Sequence, residues 1–154
     1  MALPAKNTET KNTSTLQLEE FVLYTDGASR GNPGQAAAGV SLVDSRGQEI
    51  VGEGLYLGQT TNNVAEYKAL LFGLEKARSL GVVNLAIKLD SELIVRQLQG
   101  RYKVKNEKLI PLFVQTEKIL ADLKSYRISH VPRSENKRAD QLANEALDNQ
   151  QTNC

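Results

Sequence analysis

The sequence predicts an α/β domain built on a five-stranded mixed sheet with helices on its faces. Two observations support this fold class. Three strand-like runs follow one another near the N-terminus, and the later segments alternate between strand-like and helical patterns. Successive strands usually pair antiparallel, whereas strands joined through helices pair parallel, so we expect both kinds of pairing. The length of 154 residues suits one such domain.

The first three strands are expected to form an antiparallel meander over residues 20–26, 36–43 and 49–56. Residues 44–47, Asp-Ser-Arg-Gly, have the chemistry of a hairpin turn between the second and third strands. The first strand runs into Asp26 and Gly27, and Asp-Gly pairs are common in turns. We therefore expect the first strand to end at Asp26.

A helical period replaces the strand pattern at residue 63 and continues to about residue 80, where Gly81 can terminate the helix. A strand, two helices, a strand and a helix follow, and we expect them at residues 85–90, 91–99, 107–123, 127–131 and 136–147. Pro111 is compatible with the first turn of the helix at 107–123.

The two ends of the chain depart from this pattern. The first 18 residues are polar and could bury almost nothing, so we expect a disordered tail over residues 1–18, a folded domain over 19–149 and a frayed end over 150–154. No apolar run approaches the roughly 20 residues that span a bilayer, and the N-terminus lacks the apolar segment of a secretory signal. The single cysteine, Cys154, cannot pair within the chain. We therefore expect a cytoplasmic protein without membrane contacts.

The net charge is +1, from 19 basic and 18 acidic residues. This balance gives no support to tight, sequence-blind binding of nucleic acid, which normally requires a basic surface. The basic residues concentrate locally only at positions 101–108, which hold Arg101, Lys103, Lys105 and Lys108. A run this short is typical of a solvated loop and helix start.

Asp26 and Asp90 each end an apolar strand-like run, LYTD and LAIKLD. If the two strands lie side by side and parallel, both carboxylates emerge at the carboxyl edge of the sheet, where open α/β sheets place their ligands. Each aspartate also has a structural explanation. Asp26 with Gly27 can make a turn, and Asp90 can cap the helix that follows it.

Glu66 and Asp140 lie on apolar helix faces. Small or apolar residues share the face of Glu66 and would let its helix sit close to the sheet: Ala69, Leu70, Gly73 and Ala77. Asp140 aligns with Ala143 and Leu147. Acids are rarely buried unless they are paired or bound to a cation. Glu66 can alternatively be the capping-box partner of Asn63.

Four carboxylates at one sheet edge repel one another and raise one another's pKa unless a metal compensates. No histidine or cysteine accompanies them, and a donor set made only of oxygen suits Mg²⁺ or Mn²⁺ better than zinc. The sequence therefore predicts a divalent-cation site at this edge.

Four segments resemble the motifs of the type 1 ribonuclease H family, over residues 21–147. They are YTDGASRGNPG, TNNVAEYKALLFGLE, LDSELIVRQLQG and the closing N-x-x-A-D of residues 136–140. Each motif is weak alone, but all four in this order and at this spacing make a specific signal. The resemblance implies the ribonuclease H-like fold, and the family's four metal-binding acids fall on Asp26, Glu66, Asp90 and Asp140.

The resemblance implies endonucleolytic hydrolysis of the RNA strand of an RNA–DNA hybrid, leaving 5′-phosphate and 3′-hydroxyl ends. Two Mg²⁺ ions about 4 Å apart, for which Mn²⁺ could substitute, would activate a water and stabilise the leaving 3′ oxygen. Asp26 is expected to bridge the metals. Glu66 and Asp90 would help to bind one of the two ions, and Asp140 would help to bind the other.

The resemblance also implies contacts to the substrate, and we expect a monomer whose partner is the hybrid. Glu66 and nearby backbone groups could recognise the 2′-hydroxyl of RNA, and the glycine after Asp26 would let the substrate backbone approach closely. The positions expected to contact substrate are Gly27, Ala28, Asn32, Asn62, Asn63 and Ser91.

The chain departs from the best-known bacterial form of the family in two places. That form carries a basic, tryptophan-bearing protrusion between its second and third helices, whereas here only GRYKVKN connects them and the sequence contains no tryptophan. We therefore expect weaker binding to hybrids, as in the compact bacterial and archaeal branch of the family.

The second departure concerns the family's mobile histidine before the final aspartate. Counting back from Asp140 without gaps gives His130, whose imidazole suits proton transfer at neutral pH. The alternation of the last strand instead places His130 within the strand and Arg133 at the start of the loop that leads to Asp140. Arginine cannot carry a proton, but its fixed charge could orient the scissile phosphate or help expel product. We favour Arg133 in this role.

Three other classes of protein fit the sequence less well. A catalytically silent nucleic-acid-binding module on the same fold has no reason to keep an electrostatically costly cluster of acids. A 3′–5′ exonuclease usually carries an Asp-x-Glu pair in the first strand, whereas Asp26 is followed by Gly27 and Ala28. A nucleotide-binding enzyme is disfavoured because no G-x-x-x-x-G-K-[ST] occurs and GEGLYLG misses G-x-G-x-x-G by one residue. A weak or silent binder, and a related nuclease that also cuts double-stranded RNA, stay as alternatives.

Overall fold

The computed structural model describes residues 18–152, with side chains described to residue 150. The strands and helices, in chain order, are β1 (Phe21–Gly31), β2 (Gly34–Val43), β3 (Glu49–Thr60), α1 (Asn62–Ser79), β4 (Asn84–Leu89), α2 (Glu92–Leu98), α3 (Ile110–Ala121), β5 (Ser125–His130) and α4 (Lys137–Thr152). A 3₁₀ turn, Arg133–Glu135, precedes α4. The predicted tail over residues 1–18 lies outside the described residues except for Leu18. Between residues 18 and 152, none of the helices is long and apolar enough to cross a bilayer.

The five strands form one mixed sheet in the order β3-β2-β1-β4-β5, which confirms the predicted fold class. β1, β2 and β3 pair antiparallel, whereas β4 runs parallel to both β1 and β5. Tyr24 in β1 pairs with Lys88 in β4. Continuing that register by two residues on each strand places Asp26 level with Asp90. The two aspartates therefore reach the same edge of the sheet, as the sequence predicts.

The helices cover both faces of the sheet. α1 packs on the face that carries Thr25, because a Cβ on Gly73 would lie 2.8 Å from Thr25 Cγ2. α4 packs on the opposite face, because a Cβ on Gly39 would lie 1.9 Å from the carbonyl oxygen of Ala139. Gly39 is the cross-strand partner of Asp26, and paired residues face the same way. Asp26 therefore points toward the face that α4 covers.

The main hydrophobic core joins β1, β2, β4 and β5 to α1, α2 and α3. Tyr67 of α1 is fully buried in it, and its hydroxyl donates to Gln97 Oε1 of α2 at 2.7 Å. This bond satisfies the polar end of a core side chain and ties the two helices together. The core thus fixes the starts of α1 and α2 beside the sheet edge that carries the acids.

β1 is longer than the sequence predicts. It passes through Asp26 and continues to Gly31, so the predicted strand end at Asp26 is wrong. The three residues after Asp26 are small and pair with alanines of β2, as Gly27 does with Ala38. The Asp-Gly pair therefore lies inside a strand, and turn formation does not explain Asp26.

Other boundaries differ by a few residues. α3 begins at Ile110 rather than 107, because the Asn106 side chain accepts a hydrogen bond of 2.8 Å from the Lys108 N–H and holds the preceding residues in a turn. β3 continues to Thr60 rather than residue 56, and β5 occupies Ser125–His130 rather than 127–131. α4 starts at Lys137 and continues past residue 147 to Thr152.

Candidate active site

Carboxylates from β1, α1 and the end of β4 meet at one edge of the sheet. One oxygen each from Asp26, Glu66 and Asp90 lies within 4.8 Å of the others. Asp140, in the first turn of α4, lines the same cavity as these three carboxylates. The structure thus brings together the four acids that the sequence places at one site.

Glu66 is held by the backbone of β1. The Gly27 N–H donates to Glu66 Oε1 at 3.2 Å. A Cβ on Gly27 would lie 2.4 Å from the carbonyl carbon of Ala65 and 2.5 Å from the Glu66 nitrogen. Glycine at this position therefore lets α1 start directly against β1, a different reason from the substrate approach expected from the sequence.

Helix capping does not account for the acids. Thr61 caps α1 and Ser91 caps α2, through hydrogen bonds of 3.3 Å and 3.4 Å from backbone N–H groups to their side-chain oxygens. Neither Glu66 nor Asp90 is needed for these caps. The structure therefore excludes Asp90 as a helix cap and Glu66 as a capping-box partner of Asn63. Both carboxylates are available for another role.

Asn136 connects two parts of the cluster. Its Nδ2 donates to the carbonyl oxygen of Thr25 at 2.9 Å and to Asp90 Oδ2 at 3.3 Å. The side chain is 1% exposed, so its position is fixed. In the sequence, Asn136 stands out only as the first residue of the N-x-x-A-D motif, and nothing there indicates its contact with Asp90.

Asp140 has neighbours of its own. Asn144 Nδ2, one turn further along α4, donates to Asp140 Oδ1 at 3.2 Å. Arg133 Nη2 lies 3.9 Å from the same oxygen, with 83% of the arginine side chain exposed. An exposed pair at this distance contributes little to stability, so Arg133 is free to move toward other anions. In the sequence, the one signal for Asn144 is its spacing of four residues from Asp140.

Burial and mutual repulsion change the proton affinity of the cluster. Burial, followed by the charges of Glu66, Asp90 and Asp140, raises the pKa of Asp26 to about 9. Burial and the charge of Asp90 raise the pKa of Glu66 to about 8, against the opposing effects of the Gly27 N–H and Arg133. These carboxylates therefore hold protons at neutral pH when no cation compensates their charge.

A cavity of about 520 Å³ opens beside the acids. Five of the six predicted substrate contacts line it: Gly27, Ala28, Asn62, Asn63 and Ser91. Arg133 also lines the cavity, together with Ser29, Arg30 and Asn144, which sequence reasoning did not select. Backbone, amide, hydroxyl and guanidinium groups thus surround the carboxylates on the open side.

Two predicted positions lie elsewhere. Asn32 lines the neighbouring cleft rather than this cavity, and its Oδ1 accepts a hydrogen bond of 3.1 Å from the Asn62 N–H. His130 ends β5 with an exposed side chain and is not among the residues that line the cavity. Of the two candidates for the mobile basic residue, the structure places Arg133 at the acids.

The chemistry of the cluster fits a hard divalent cation. All donors are carboxylate oxygens, and the raised pKa values of Asp26 and Glu66 indicate an excess of negative charge that a cation would compensate. Such oxygen-only sets suit Mg²⁺ and Mn²⁺. The residues able to hold the ions are Asp26, Glu66, Asp90 and Asp140.

Comparison with known proteins places this site in a family. A family model described as "Reverse transcriptase-like" matches residues 24–146. Ribonuclease HI of Halobacterium salinarum is 44% identical over 125 residues, which are 81% of this chain and 63% of that protein. The bifunctional protein Rv2228c of Mycobacterium tuberculosis is 41% identical over 130 residues. The match covers 84% of this chain but only 36% of the mycobacterial protein, so the chain spans about a third of that relative.

Solved structures agree with the sequence relatives. The crystal structure of RNase H1 from Halobacterium salinarum superposes with a TM-score of 0.82 at 42% identity, covering 84% of this chain and 98% of that one. LC11-RNase H1, solved in complex with an RNA/DNA hybrid, gives a TM-score of 0.80 at 43% identity, covering 84% of this chain and 97% of that one.

Proposed function

The chain belongs to the type 1 ribonuclease H family, and from this premise we propose that it is an endonuclease that hydrolyses the RNA strand of RNA–DNA hybrids. The observation that carries the proposal is the convergence of Asp26, Glu66, Asp90 and Asp140 at one edge of the sheet, beside an open cavity. The similar LC11 enzyme, solved with an RNA/DNA hybrid, supports the same partner for this chain.

The four acids are proposed to hold two Mg²⁺ ions, for which Mn²⁺ can substitute. When bound, such ions supply a nucleophilic water at neutral pH and compensate charge on the phosphate, which gives 5′-phosphate and 3′-hydroxyl ends. Asp26 belongs to the compact group with Glu66 and Asp90 and lines the same cavity as Asp140, so it would be the ligand shared by both ions. Glu66 and Asp90 would complete one side of the site, and Asp140 the other.

The rest of the site is proposed to recognise the substrate. Asn62 and Asn63, at the start of α1, offer neutral hydrogen-bonding groups to the nucleic acid, and Asn32 holds that helix start in place. Glu66 and the backbone at Gly27 and Ala28 lie where a 2′-hydroxyl could be recognised.

Two further side chains, Ser91 near Asp90 and Arg133 near Asp140, complete the set of proposed substrate contacts. Ser91 lines the cavity beside Asp90. Arg133 is proposed to orient the scissile phosphate through its fixed charge, or to help expel product. We also propose that the folded unit spans residues 19–149, acts as a monomer and works in the cytoplasm.

A cleavage assay tests the activity directly. RNA–DNA, RNA–RNA and DNA–DNA duplexes of one sequence, labelled at each end in turn, are incubated with Mg²⁺ or Mn²⁺, and the Asp90→Asn variant serves as the background control. Internal cuts in the RNA strand of the hybrid are expected, with DNA duplexes intact and 5′-phosphate on the products. Equal cutting of DNA duplexes would contradict the assignment to hybrids.

The same assay separates the alternatives. Cutting only from the ends of the strand would indicate an exonuclease, and binding without cutting in either metal would indicate a silent binding module. Cutting of the RNA–RNA duplex alongside the hybrid would widen the substrate class without changing the chemistry.

A further inference from the structure

Asp140 is held differently from the other acids. The carboxylate oxygens of Asp26, Glu66 and Asp90 form one compact group within 4.8 Å, and their side chains come from, or directly follow, elements built into the main core. Asp140 comes instead from α4, on the opposite face from α1, and its side chain is 32% exposed. Its orientation therefore depends on neighbours within α4 and at the end of β1.

Asn144 is the nearest such neighbour. Its Nδ2 donates to the carbonyl oxygen of Asp140 at 2.9 Å and to the Asp140 carboxylate at 3.2 Å. Asp140, Asn144 and Asp148 are four residues apart along α4, so they share one side of the helix. Asn144 also lines the cavity beside the acids.

Arg30 determines which way the Asn144 amide points. Arg30 Nη2 donates to Asn144 Oδ1 at 3.4 Å and to Asp148 Oδ1 at 2.7 Å. A guanidinium can only donate hydrogen bonds, and a carboxylate can only accept them. The amide between them must therefore turn its oxygen toward Arg30 and its NH₂ group toward Asp140. In the reversed orientation, the NH₂ group of Asn144 would face the donors of Arg30, and its amide oxygen would face the carboxylate of Asp140.

We infer that Asn144 is a positioning residue for Asp140, and that Arg30, anchored by Asp148, sets the orientation of its amide. This inference rests on the proposed function, because it treats Asp140 as a metal ligand. A hydrogen bond to Asp140 Oδ1 restricts the rotation of the carboxylate, so the carboxylate would need less reorganisation to bind an ion. Loss of such an outer partner typically weakens metal binding about 10- to 100-fold.

The test measures Mn²⁺ binding to the metal-free protein without nucleic acid, from the electron paramagnetic resonance signal of free Mn²⁺. Asn144→Ala removes the amide, and Asn144→Leu removes its polarity while keeping its approximate volume. Both variants should bind one Mn²⁺ about 10- to 100-fold more weakly than wild type. Hybrid cleavage should require correspondingly more Mn²⁺, with the turnover number recovering at saturation.

Gln141→Ala provides a matched control. Gln141 Nε2 donates to Glu145 Oε2 at 3.0 Å, an amide–carboxylate bond of the same spacing on the same helix, but exposed. This variant should bind Mn²⁺ as wild type does. Thermal unfolding in EDTA should be alike for the Asn144 and Gln141 variants, since a structural role alone would lower the melting temperature and leave Mn²⁺ affinity unchanged.

The outcomes distinguish this inference from the proposed function. Wild-type Mn²⁺ affinity in both Asn144 variants would overturn the role of Asn144 while leaving the nuclease assignment intact. Equal weakening in the Gln141 control would also overturn it, because the effect would then belong to α4 as a whole. Failure of the wild type to bind Mn²⁺ would overturn the proposed metal site and the inference with it.

Discussion

In the metal-free protein, the carboxyl groups of Asp26 and Glu66 hold their protons to high pH, because burial and neighbouring acids raise their pKa values to about 9 and about 8. The unfolded chain releases these protons near pH 4. The folded state therefore binds more protons between these limits, so its stability is greatest at acid pH and falls as pH rises toward 9.

This linkage predicts that Asp26→Asn is more stable than wild type at pH 8 in EDTA, by about 1 kcal/mol, because folded wild type keeps a proton that its unfolded chain releases, whereas asparagine has no such proton. At pH 5 the difference should largely disappear, since keeping the proton costs much less near the pKa of the unfolded carboxyl. Urea denaturation at pH 8 and at pH 5 measures the difference in stability between the variant and wild type. Asp122→Asn, at an exposed acid after α3, should show no such dependence. A large loss of stability in Asp26→Asn at both pH values would instead make Asp26 a structural residue.

Metal should reverse the order of stability. If Mg²⁺ binds the folded cluster and not the unfolded chain, as proposed, it should raise the melting temperature of wild type at pH 8 by mass action. Asp26→Asn and Asp90→Asn should gain much less, and both should lose turnover. Melting curves at increasing Mg²⁺ concentration provide the measurement, and an equal gain in all three proteins would place the metal elsewhere.

Arg133 and His130 give a further contrast between single residues. Arg133 lies 3.9 Å from Asp140 and is exposed, whereas His130 lies outside the cavity lining. Arg133→Ala should lower turnover about 10- to 100-fold with hybrid binding largely kept, in the range for loss of one positioned charge. His130→Ala should leave turnover close to wild type. Loss of turnover in a normally folded His130→Ala, with Arg133→Ala active, would reverse the assignment.

At the scale of secondary structure elements, glycines determine how closely the helices approach the sheet. A Cβ on Gly39 would lie 1.9 Å from the backbone oxygen of Ala139, so α4 itself would have to move. A Cβ on Gly73 would meet only side-chain atoms of Thr25 and Leu23, at 2.8 Å and more, and these can shift. Substitution by alanine should therefore lower the stability of the fold more at Gly39 than at Gly73.

Gly39→Ala should destabilise the protein by about 3 kcal/mol and weaken metal binding, because α4 carries Asp140 over Asp26. Gly73→Ala should cost about 1 kcal/mol or less, since better helix propensity offsets part of the crowding. Chemical denaturation and Mn²⁺ titration measure the two effects. Equal costs at both positions would show that α4 adjusts as easily as a side chain.

The elements that the sequence predicts well are those with a periodic apolar pattern, such as α1 and β4. The extension of β1 to Gly31 has no such pattern, since glycine, alanine and serine side chains carry no alternation there. It is determined by pairing with β2. The four acids could be identified because, in the sequence, each closes an apolar run or lies on an apolar helix face. The role of Asn144 could not, because its partner Arg30 lies 114 positions earlier in the chain.

For the molecule as a whole, charge is nearly balanced at +1, and a short connection replaces the basic protrusion of the larger family members. Within the described residues, Arg101, Lys103 and Lys105 are exposed in the loop between α2 and α3. Few phosphates can therefore be neutralised at once. We expect hybrid affinity of roughly micromolar order at physiological salt, near that of weak non-specific binding.

The dependence of affinity on salt tests this view of the whole surface. Each lost phosphate contact lowers the slope of log affinity against log salt by about 0.9, so a double substitution Lys103→Ala and Lys105→Ala should reduce the slope by about 2. Fluorescence anisotropy with a labelled hybrid, in Ca²⁺ to prevent cutting, measures it. The double substitution Lys118→Ala and Lys124→Ala removes the same charge from exposed positions at the end of α3 and before β5, and should leave the slope nearly unchanged. A steep slope in the variant without Lys103 and Lys105 would show that the hybrid binds to another surface.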